Sequence, residues 1–142
     1  MTGIDGSASS LSALRWAIHL ANHTGAAVDV VAAWRYPVAA CGYGWASAGS
    51  GPEYDVEEIT QEMVADAIGN TLGPGSKVRA RAWVVEGDPG RVLLDTSDGA
   101  DLLVVGNRGH GGFTEAPLGS VSRHCVQHAC CPVVVIRGDD HD

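Results

Sequence analysis

Basic residues are scarce in this sequence, in which nine lysines and arginines stand against 17 aspartates and glutamates. The formal net charge is −8, and only one of the nine bases is a lysine. A protein that binds duplex nucleic acid needs a concentrated basic face for the phosphates, so this balance predicts that nucleic acid is not a partner. Small anions are still allowed, because helix N-termini and glycine-rich loops bind them without net positive charge.

The sequence also lacks a long apolar run and a basic, apolar leader. No run approaches the roughly 20 residues of a membrane-spanning helix, and the opening MTGIDGSASS does not have the pattern of a signal peptide. These absences predict no membrane association and a cytoplasmic location. With 142 residues, of which 45% are apolar, the chain is expected to fold as one soluble domain.

The cysteines show no C-x-x-C spacing, which predicts reduced and mostly buried thiols in place of a redox pair or a zinc ribbon. They are Cys41, Cys125, Cys130 and Cys131. His124 and His128 stand four residues apart, a spacing that can ligate zinc on a helix. Because consecutive side chains such as Cys130 and Cys131 point opposite ways on a strand, we favour core cysteines beside an exposed histidine face over a metal site.

The chain does contain a regular alternation of short apolar strands and amphipathic helices. Strands are predicted at 2–5, 28–34, 77–87, 101–106 and 131–137, and helices from about Leu11 to before Gly25, at 53–72, 88–100 and 120–129. This order predicts one α/β domain over residues 1–138, doubly wound and Rossmann-like. Its three layers would be a five-stranded, mostly parallel sheet between four helices. Residues 35–52 are predicted to form a long loop, and 139–142 an acidic tail.

Two predicted strand ends carry residues that suit ligand binding. Asp5-Gly6-Ser7 follows the first strand, and Gly106 follows the fourth. In open parallel sheets, ligands bind beyond the carboxyl ends of the strands, where the strand order reverses. A sheet order of 3-2-1-4-5 would bring these two ends together, and the motifs make sense in that order.

The stretch GNRGHGGFTEAPLGS, residues 106–120, holds five glycines in fifteen residues. Its spacing matches neither a Walker A loop nor the G-x-G-x-x-G fingerprint. Glycines nevertheless let backbone amides approach an anion, and Ser120 begins a predicted helix whose free amides attract negative charge. The hydroxyls of Ser120 and Ser122 can add hydrogen bonds to phosphate. Spacing alone does not decide between phosphate binding and a loop that is merely flexible.

Several stretches of the chain resemble the universal stress protein family. They are IDGSASSLSALRWA, EGDPGRVLLDTSDGADLLVVG, VVGNRGHGG, LGSVS and CPVVVIR. The likeness covers nearly the whole chain, with residues 35–60 the least diagnostic. The ATP-binding members of that family share the pattern G-2x-G-9x-G-[ST], which Gly106, Gly109, Gly119 and Ser120 meet here.

The resemblance implies the strand order 3-2-1-4-5, ATP as the ligand with Mg²⁺, and a homodimer formed through the last strand, residues 131–137. It implies phosphate contacts at Gly106, Gly109, Gly119, Ser120, Val121 and Ser122. Asp5 would meet the ribose or the metal ion, and Ala32 and Ala33 would lie against the adenine.

One departure from the family concerns the first strand, since only Met1-Thr2-Gly3-Ile4 precede Asp5. Either the start of the chain is late or the central strand is short, and a short strand would hold Asp5 poorly. Gly3 would weaken that strand further.

Two charged or titratable side chains within the glycine-rich loop are added to the expected site. Arg108 can pair with phosphate as a planar fork. His110 can reach the terminal phosphate or a partner surface, although a loop histidine is more often simply exposed.

We therefore expect an ATP-binding regulatory or stress-response protein. The nucleotide would order the loops at 106–119 and 35–52 and so change a surface that an unidentified protein partner or a second copy recognises. Catalysis has little support, because no nucleophile elbow, H-E-x-x-H motif or paired-carboxylate pattern occurs. Two alternatives stay open: a slow ATP hydrolase, and a nucleotide-free homodimeric interaction module.

Overall fold

The computed structural model describes residues 1–36, 55–110 and 118–138. The predicted acidic tail, Cys41, residues 37–52 of the predicted long loop and residues 111–117 of the glycine-rich loop lie outside these residues.

The described chain alternates strands and helices in the predicted order. The strands are β1 (Thr2–Gly3), β2 (Val28–Trp34), β3 (Ala80–Glu86), β4 (Leu103–Gly106) and β5 (Val133–Ile136); the helices are α1 (Ala8–Thr24), α2 (Val56–Thr71), α3 (Pro89–Thr96) and α4 (Ser120–His128). All neighbouring strands are parallel, and the sheet order is β3-β2-β1-β4-β5. The predicted fold class and strand order are confirmed.

Helix boundaries follow the capping residues more closely than the apolar period. α1 begins at Ala8, before the apolar repeat, because Ser7 caps it and accepts a hydrogen bond from the amide of Ser10 at 3.3 Å. Asp88 caps α3 in the same way, accepting from the amide of Arg91 at 3.2 Å.

The sheet separates two apolar layers. Val30 and Val31 are 0% and 1% exposed, and as neighbours on β2 they enter different layers. Val30 packs with Leu14 of α1 and Val64 of α2, whereas Val31 packs with Leu93 of α3. The result is a three-layer arrangement with helices on both faces of the sheet.

β1 is short but central, and its pairing extends beyond its two residues. The amide of Val104 donates to the Met1 carbonyl, and the amide of Ile4 donates to the Val31 carbonyl, each at 2.9 Å. Gly3 is explained by close packing, since a Cβ there would stand 2.6 Å from a methyl carbon of Leu93. The strand therefore delivers Asp5 to the carboxyl edge of the sheet.

None of the helices within the described ranges has the length and apolar character needed to cross a membrane.

Candidate functional site

A cavity of about 600 Å³ opens at the carboxyl ends of β1 and β4. This is the point where the strand order reverses, since the chain runs from β1 to β2 on one side and reaches β4 on the other. Ten of the eleven predicted site residues line the cavity: Asp5, Ala33, Gly106, Arg108, Gly109, His110, Gly119, Ser120, Val121 and Ser122.

Ala32 is the predicted site residue that does not line the cavity. It is 1% exposed and packs in the layer formed with α1 and α2, whereas its neighbour Ala33 faces the cavity. Alternation along β2 separates the two side chains. Apart from Asp29 near its amino end, both faces of this strand are apolar, so little in the sequence indicated which alanine faces the ligand side.

The three glycines of the spaced motif, Gly106, Gly109 and Gly119, differ in what an added side chain would meet. A Cβ on Gly106 would stand 2.5 Å from Ser9 Oγ and 2.6 Å from the Ser9 carbonyl carbon, so α1 packs directly on it. A Cβ on Gly109 would stand 2.7 Å from Asp5 Oδ2. A Cβ on Gly119 would have no described neighbour nearer than 3.5 Å, and its φ of −68° suits any residue. Neither packing nor backbone conformation accounts for a glycine at 119.

α4 begins without a side-chain cap. Ser7, Asp55 and Asp88 each cap one of the other three described helices, but Gly119 precedes α4 and no side chain of the described residues bonds its first turn. Gly119 and the first three residues of α4 line the cavity. The free amides and dipole of this helix end therefore favour an anion in the cavity.

The hydroxyl of Ser122 has a structural role in this arrangement. It is 5% exposed and donates to the carbonyl oxygen of Gly106, which ties the first turn of α4 to the end of β4. The expected contact of Ser122 with phosphate stays a prediction. The hydroxyl of Ser120 is on the exposed side of the same turn.

Hydrogen bonds join the two described ends of the glycine-rich loop to each other and to α1. Ser9 Oγ donates to the carbonyl oxygen of Arg108 and accepts from the amide of Arg108 at 3.3 Å. The amide of Gly119 donates to the carbonyl oxygen of Asn107 at 2.7 Å. These bonds fix the base of the loop beside the amino end of α4. Nothing near Ser9 in the sequence indicates this role, since its partner lies 99 residues away.

Asp5 is held by the turn that follows it, contrary to the expectation that a short strand would hold it poorly. Its Oδ1 accepts from the amide of Ser7 at 2.9 Å, and its own amide donates to Ser10 Oγ at 3.2 Å. His110 Nε2 lies 2.9 Å from the Asp5 carbonyl oxygen, which only accepts, so Nε2 carries the proton.

The carboxyl of Asp5 is ionised at neutral pH. Desolvation raises its pKa, but hydrogen bonds from the Ser7 hydroxyl and amide, the Ser10 hydroxyl and the charge of His110 together lower it further, so the pKa lies below its ordinary value. An ionised acceptor of this kind can bind hydroxyl groups or a hard cation.

The cavity combines a polar end with an apolar wall. Arg108, Arg123 and His110 line it, and Asp5 is the one acidic residue among its described lining residues. The apolar wall, which the sequence analysis mostly missed, consists of Gly3, Ile4, Val31, Pro89, Leu93, Val105 and Leu118. Arg123 was also missed, although helical spacing places it one turn from Gly119. This local excess of positive groups on an acidic protein favours a ligand with both an anionic and an apolar part.

The histidines and cysteines near the end of α4 do not converge. Within the ranges that the structure covers, no three His, Cys, Asp or Glu side chains come together as a metal site would require. Cys125 is 0% exposed, and burial, followed by the nearby Cys131, raises the pKa of its thiol to about 11. The rings of His124 and His128 pack against each other with centroids 4.8 Å apart.

Sequence comparison identifies relatives over the whole described chain. A sequence model of the universal stress protein family matches residues 1–137. A universal stress protein of Mycolicibacterium smegmatis is 34% identical over 99% of this chain, and the chain spans 48% of that protein. Universal stress protein YxiE of Bacillus subtilis is 31% identical, with 96% of this chain and 97% of YxiE covered. The chain thus equals about half of one relative and nearly all of the other.

Structure comparison gives the same fold. A universal stress protein crystallised in complex with cAMP is 25% identical, has a TM-score of 0.61, and is matched over 97% of this chain and 94% of its own. A universal stress protein from Archaeoglobus fulgidus in complex with dAMP shares the fold with a TM-score of 0.67 and 21% identity, over 95% and 94% of the two chains.

Proposed function

The chain belongs to the universal stress protein family, and we propose that it binds ATP together with Mg²⁺ in the cavity at the ends of β1 and β4. The observation that carries this proposal is Gly119. It is a glycine at the start of an uncapped helix that neither its neighbours nor its φ requires, and it lines the cavity. A ligand that approaches the backbone closely gives such a position a reason to lack a side chain.

The phosphates of the nucleotide bind at the amino end of α4. The amides of Ser120 and Val121 belong to the uncapped first turn, and Arg108 and Arg123 line the same cavity. A helix N-terminus and two guanidinium groups together complement a chain of phosphates. A side chain at Gly109 would collide with the Asp5 carboxylate, so this position of the motif also requires a glycine.

The nucleoside binds between Asp5 and the apolar wall. The ionised carboxylate of Asp5 accepts hydrogen bonds from ribose hydroxyls, and the base lies against Ala33 and its apolar neighbours. Val31 and Leu93 extend that wall. Ligand cavities commonly combine apolar contacts, here to the base, with a few polar contacts, here to the sugar and phosphates.

Asp5 also fits the needs of a magnesium ion bound with the nucleotide. Mg²⁺ is commonly held by one or two carboxylates and completed by phosphate oxygens and water. Asp5 is ionised and lines the cavity, so it would supply the protein ligand. When bound, the ion would neutralise part of the phosphate charge.

The nucleotide acts as a regulatory ligand in the cytoplasm and not as the substrate of a dedicated enzyme. Occupancy changes the protein surface that a second copy or another protein recognises.

The second copy pairs through β5, which forms one edge of the sheet and whose four side chains are all half-buried. Sedimentation equilibrium checks this pairing: a dimer is expected, and a monomer at all concentrations contradicts it.

Calorimetric titration with Mg-ATP and with adenosine tests the proposed site. Gly119→Val is expected to weaken Mg-ATP at least tenfold, because the side chain enters the phosphate space. Gly69→Val is the matched control, since a Cβ at Gly69 in α2 meets no described atom within 4 Å. Arg108→Ala should weaken Mg-ATP more than adenosine. Equal Mg-ATP affinities in the two valine variants would show that the cavity does not bind phosphate at Gly119.

A further inference from the structure

A row of basic side chains and one tryptophan runs along the edge of the sheet that is remote from β5. Val78, Ala80 and Val84 pack on the layer formed with α1 and α2. Since side chains alternate along a strand, Arg81 and Trp83 of β3 lie on the opposite face of the sheet, and Lys77 and Arg79 precede the strand at the same alternate spacing. The basic stripe, as we name it, consists of Lys77, Arg79, Arg81 and Trp83, all of them exposed.

The basic stripe concentrates charge in a protein that has little of that sign. It holds three of the nine lysines and arginines, although the net charge of the chain is −8. Arg81 lies in β3, and Lys77 and Arg79 precede it at alternate positions along the chain, so the three bases are close together in sequence at one end of the strand. Within the described residues, Lys77 and Arg79 have no ion-pair partner, whereas Arg81 is paired with Asp29.

Asp29 holds the other half of the basic stripe in place. Its Oδ1 accepts from Arg81 Nε at 2.8 Å and from Trp83 Nε1 at 3.1 Å, and its Oδ2 accepts from Arg81 at 3.2 Å. The guanidinium carbon of Arg81 lies 6.0 Å from the centre of the Trp83 ring. Trp83 is nevertheless 47% exposed. Exposed Trp and Arg side chains that are already ordered lose little entropy when a partner binds, and these residue types dominate binding energy at interfaces.

Within the ranges that the structure describes, no other strand pairs with the outer edge of β3. β3 is the terminal strand of the described sheet and pairs only with β2 along its seven residues. A strand of this length without proline can add an extended segment through its outer backbone groups.

We propose that β3 binds an extended acidic segment of another protein, which adds to the sheet beside it. Alternate carboxylates of that segment pair with Lys77 and Arg79, and an apolar side chain packs on the exposed face of Trp83. A second copy of this chain is a poor occupant, because an antiparallel pair centred on β3 places Arg81 opposite Val85 and offers the basic stripe no carboxylate. The stripe lies outside the cavity and near the amino end of β3, so this site is separate from the nucleotide site.

Fluorescence anisotropy with the full chain tests the proposal. The probe is a fluorescein-labelled extended peptide spanning positions 77–86 that carries, on one face, glutamates opposite Lys77 and Arg79 and a valine opposite Trp83. We expect binding that weakens with salt, and roughly a tenfold loss in Lys77→Glu/Arg79→Glu. Arg15→Glu/Arg91→Glu is the matched control, because it changes the net charge equally at exposed positions on α1 and α3.

A second experiment tests whether the peptide binds by adding a strand to β3. N-methylation of alternate peptide amides should abolish binding in the register that faces β3 and leave it unchanged in the other. Equal weakening by the two double variants, or indifference to the methylation register, overturns strand addition at the basic stripe. So does binding of labelled oligouridylate in place of the peptide, which would make the surface one for single-stranded nucleic acid. Mg-ATP affinity is expected to be the same in both double variants, which separates this proposal from the nucleotide site.

Discussion

Gly109 lies directly against the carboxylate of Asp5, so that a Cβ added at Gly109 would stand 2.7 Å from Asp5 Oδ2. Two segments more than 100 residues apart in sequence thus meet at the cavity, and one constrains the other. The carboxylate cannot retreat freely, because the Ser7 amide donates to Oδ1 at 2.9 Å.

Gly109→Ala is expected to cost about 1 kcal/mol of unfolding free energy and to weaken nucleotide binding, since the new methyl group displaces Asp5. Urea unfolding and titration with Mg-ATP measure the two effects. Gly73→Ala is the control, because a Cβ there meets no described atom within 4 Å. If both alanine variants match the wild type in both measurements, Gly109 does not constrain Asp5.

Gly106→Ala and Gly119→Ala should differ in how much they lower the free energy of unfolding. At Gly106 the added Cβ meets the backbone of α1, 2.6 Å from the Ser9 carbonyl carbon, and overpacking of this kind costs about 1–3 kcal/mol. At Gly119 the nearest described atoms are 3.5 Å away, so we expect a stability change within about 0.5 kcal/mol. Urea unfolding of both variants checks the order, and a larger loss in Gly119→Ala contradicts it.

Asp5 is expected to contribute to the acid sensitivity of the fold. Its pKa in the folded protein lies below the ordinary value of 3.8. Its contribution to stability is therefore present above that value and is lost as the pH falls through the folded-state pKa. Asp5→Asn should lose stability less steeply than the wild type between about pH 5 and pH 2. Parallel curves of unfolding free energy against pH for the two proteins would show that Asp5 has no such role.

The cysteines at the end of α4 should differ sharply in reactivity. Burial raises the pKa of the Cys125 thiol to about 11, so at about pH 8 only about one molecule in a thousand carries the thiolate. Cys130 is exposed. Alkylation with iodoacetamide followed by peptide mapping should label Cys130 and spare Cys125 in the folded protein, and label both in urea. Equal labelling of the two in the folded state refutes this assignment.

The order of strands and helices along the chain could be predicted from the sequence, because the spacing of apolar residues differs between strands and helices. The sheet order itself was implied by the resemblance to the universal stress protein family, and the ligand-bearing ends at Asp5 and Gly106 were consistent with it. The spaced glycines were identified by pattern, but the pattern does not separate their physical reasons. Gly106 makes room for Ser9 of α1, and only the folded packing reveals it.

Residues whose role depends on distant partners could not be identified in this way. Ser9 bonds the backbone of Arg108 across 99 positions, and nothing near Ser9 in the sequence indicates that contact. Ala32 and Ala33 could not be distinguished, because apart from Asp29 both faces of β2 are apolar and no polar alternation shows which side faces the cavity. Tertiary packing, not local sequence, decides these cases.

The most direct test of the nucleotide proposal is mass spectrometry of the small molecules released when the freshly purified protein is denatured, followed by titration of the emptied protein with Mg-ATP. We predict an adenine nucleotide near one per chain, or stoichiometric binding in the titration, and loss of both in Gly119→Val. A wild-type protein that releases no nucleotide and binds neither Mg-ATP nor cAMP would contradict the account and leave a nucleotide-free interaction module.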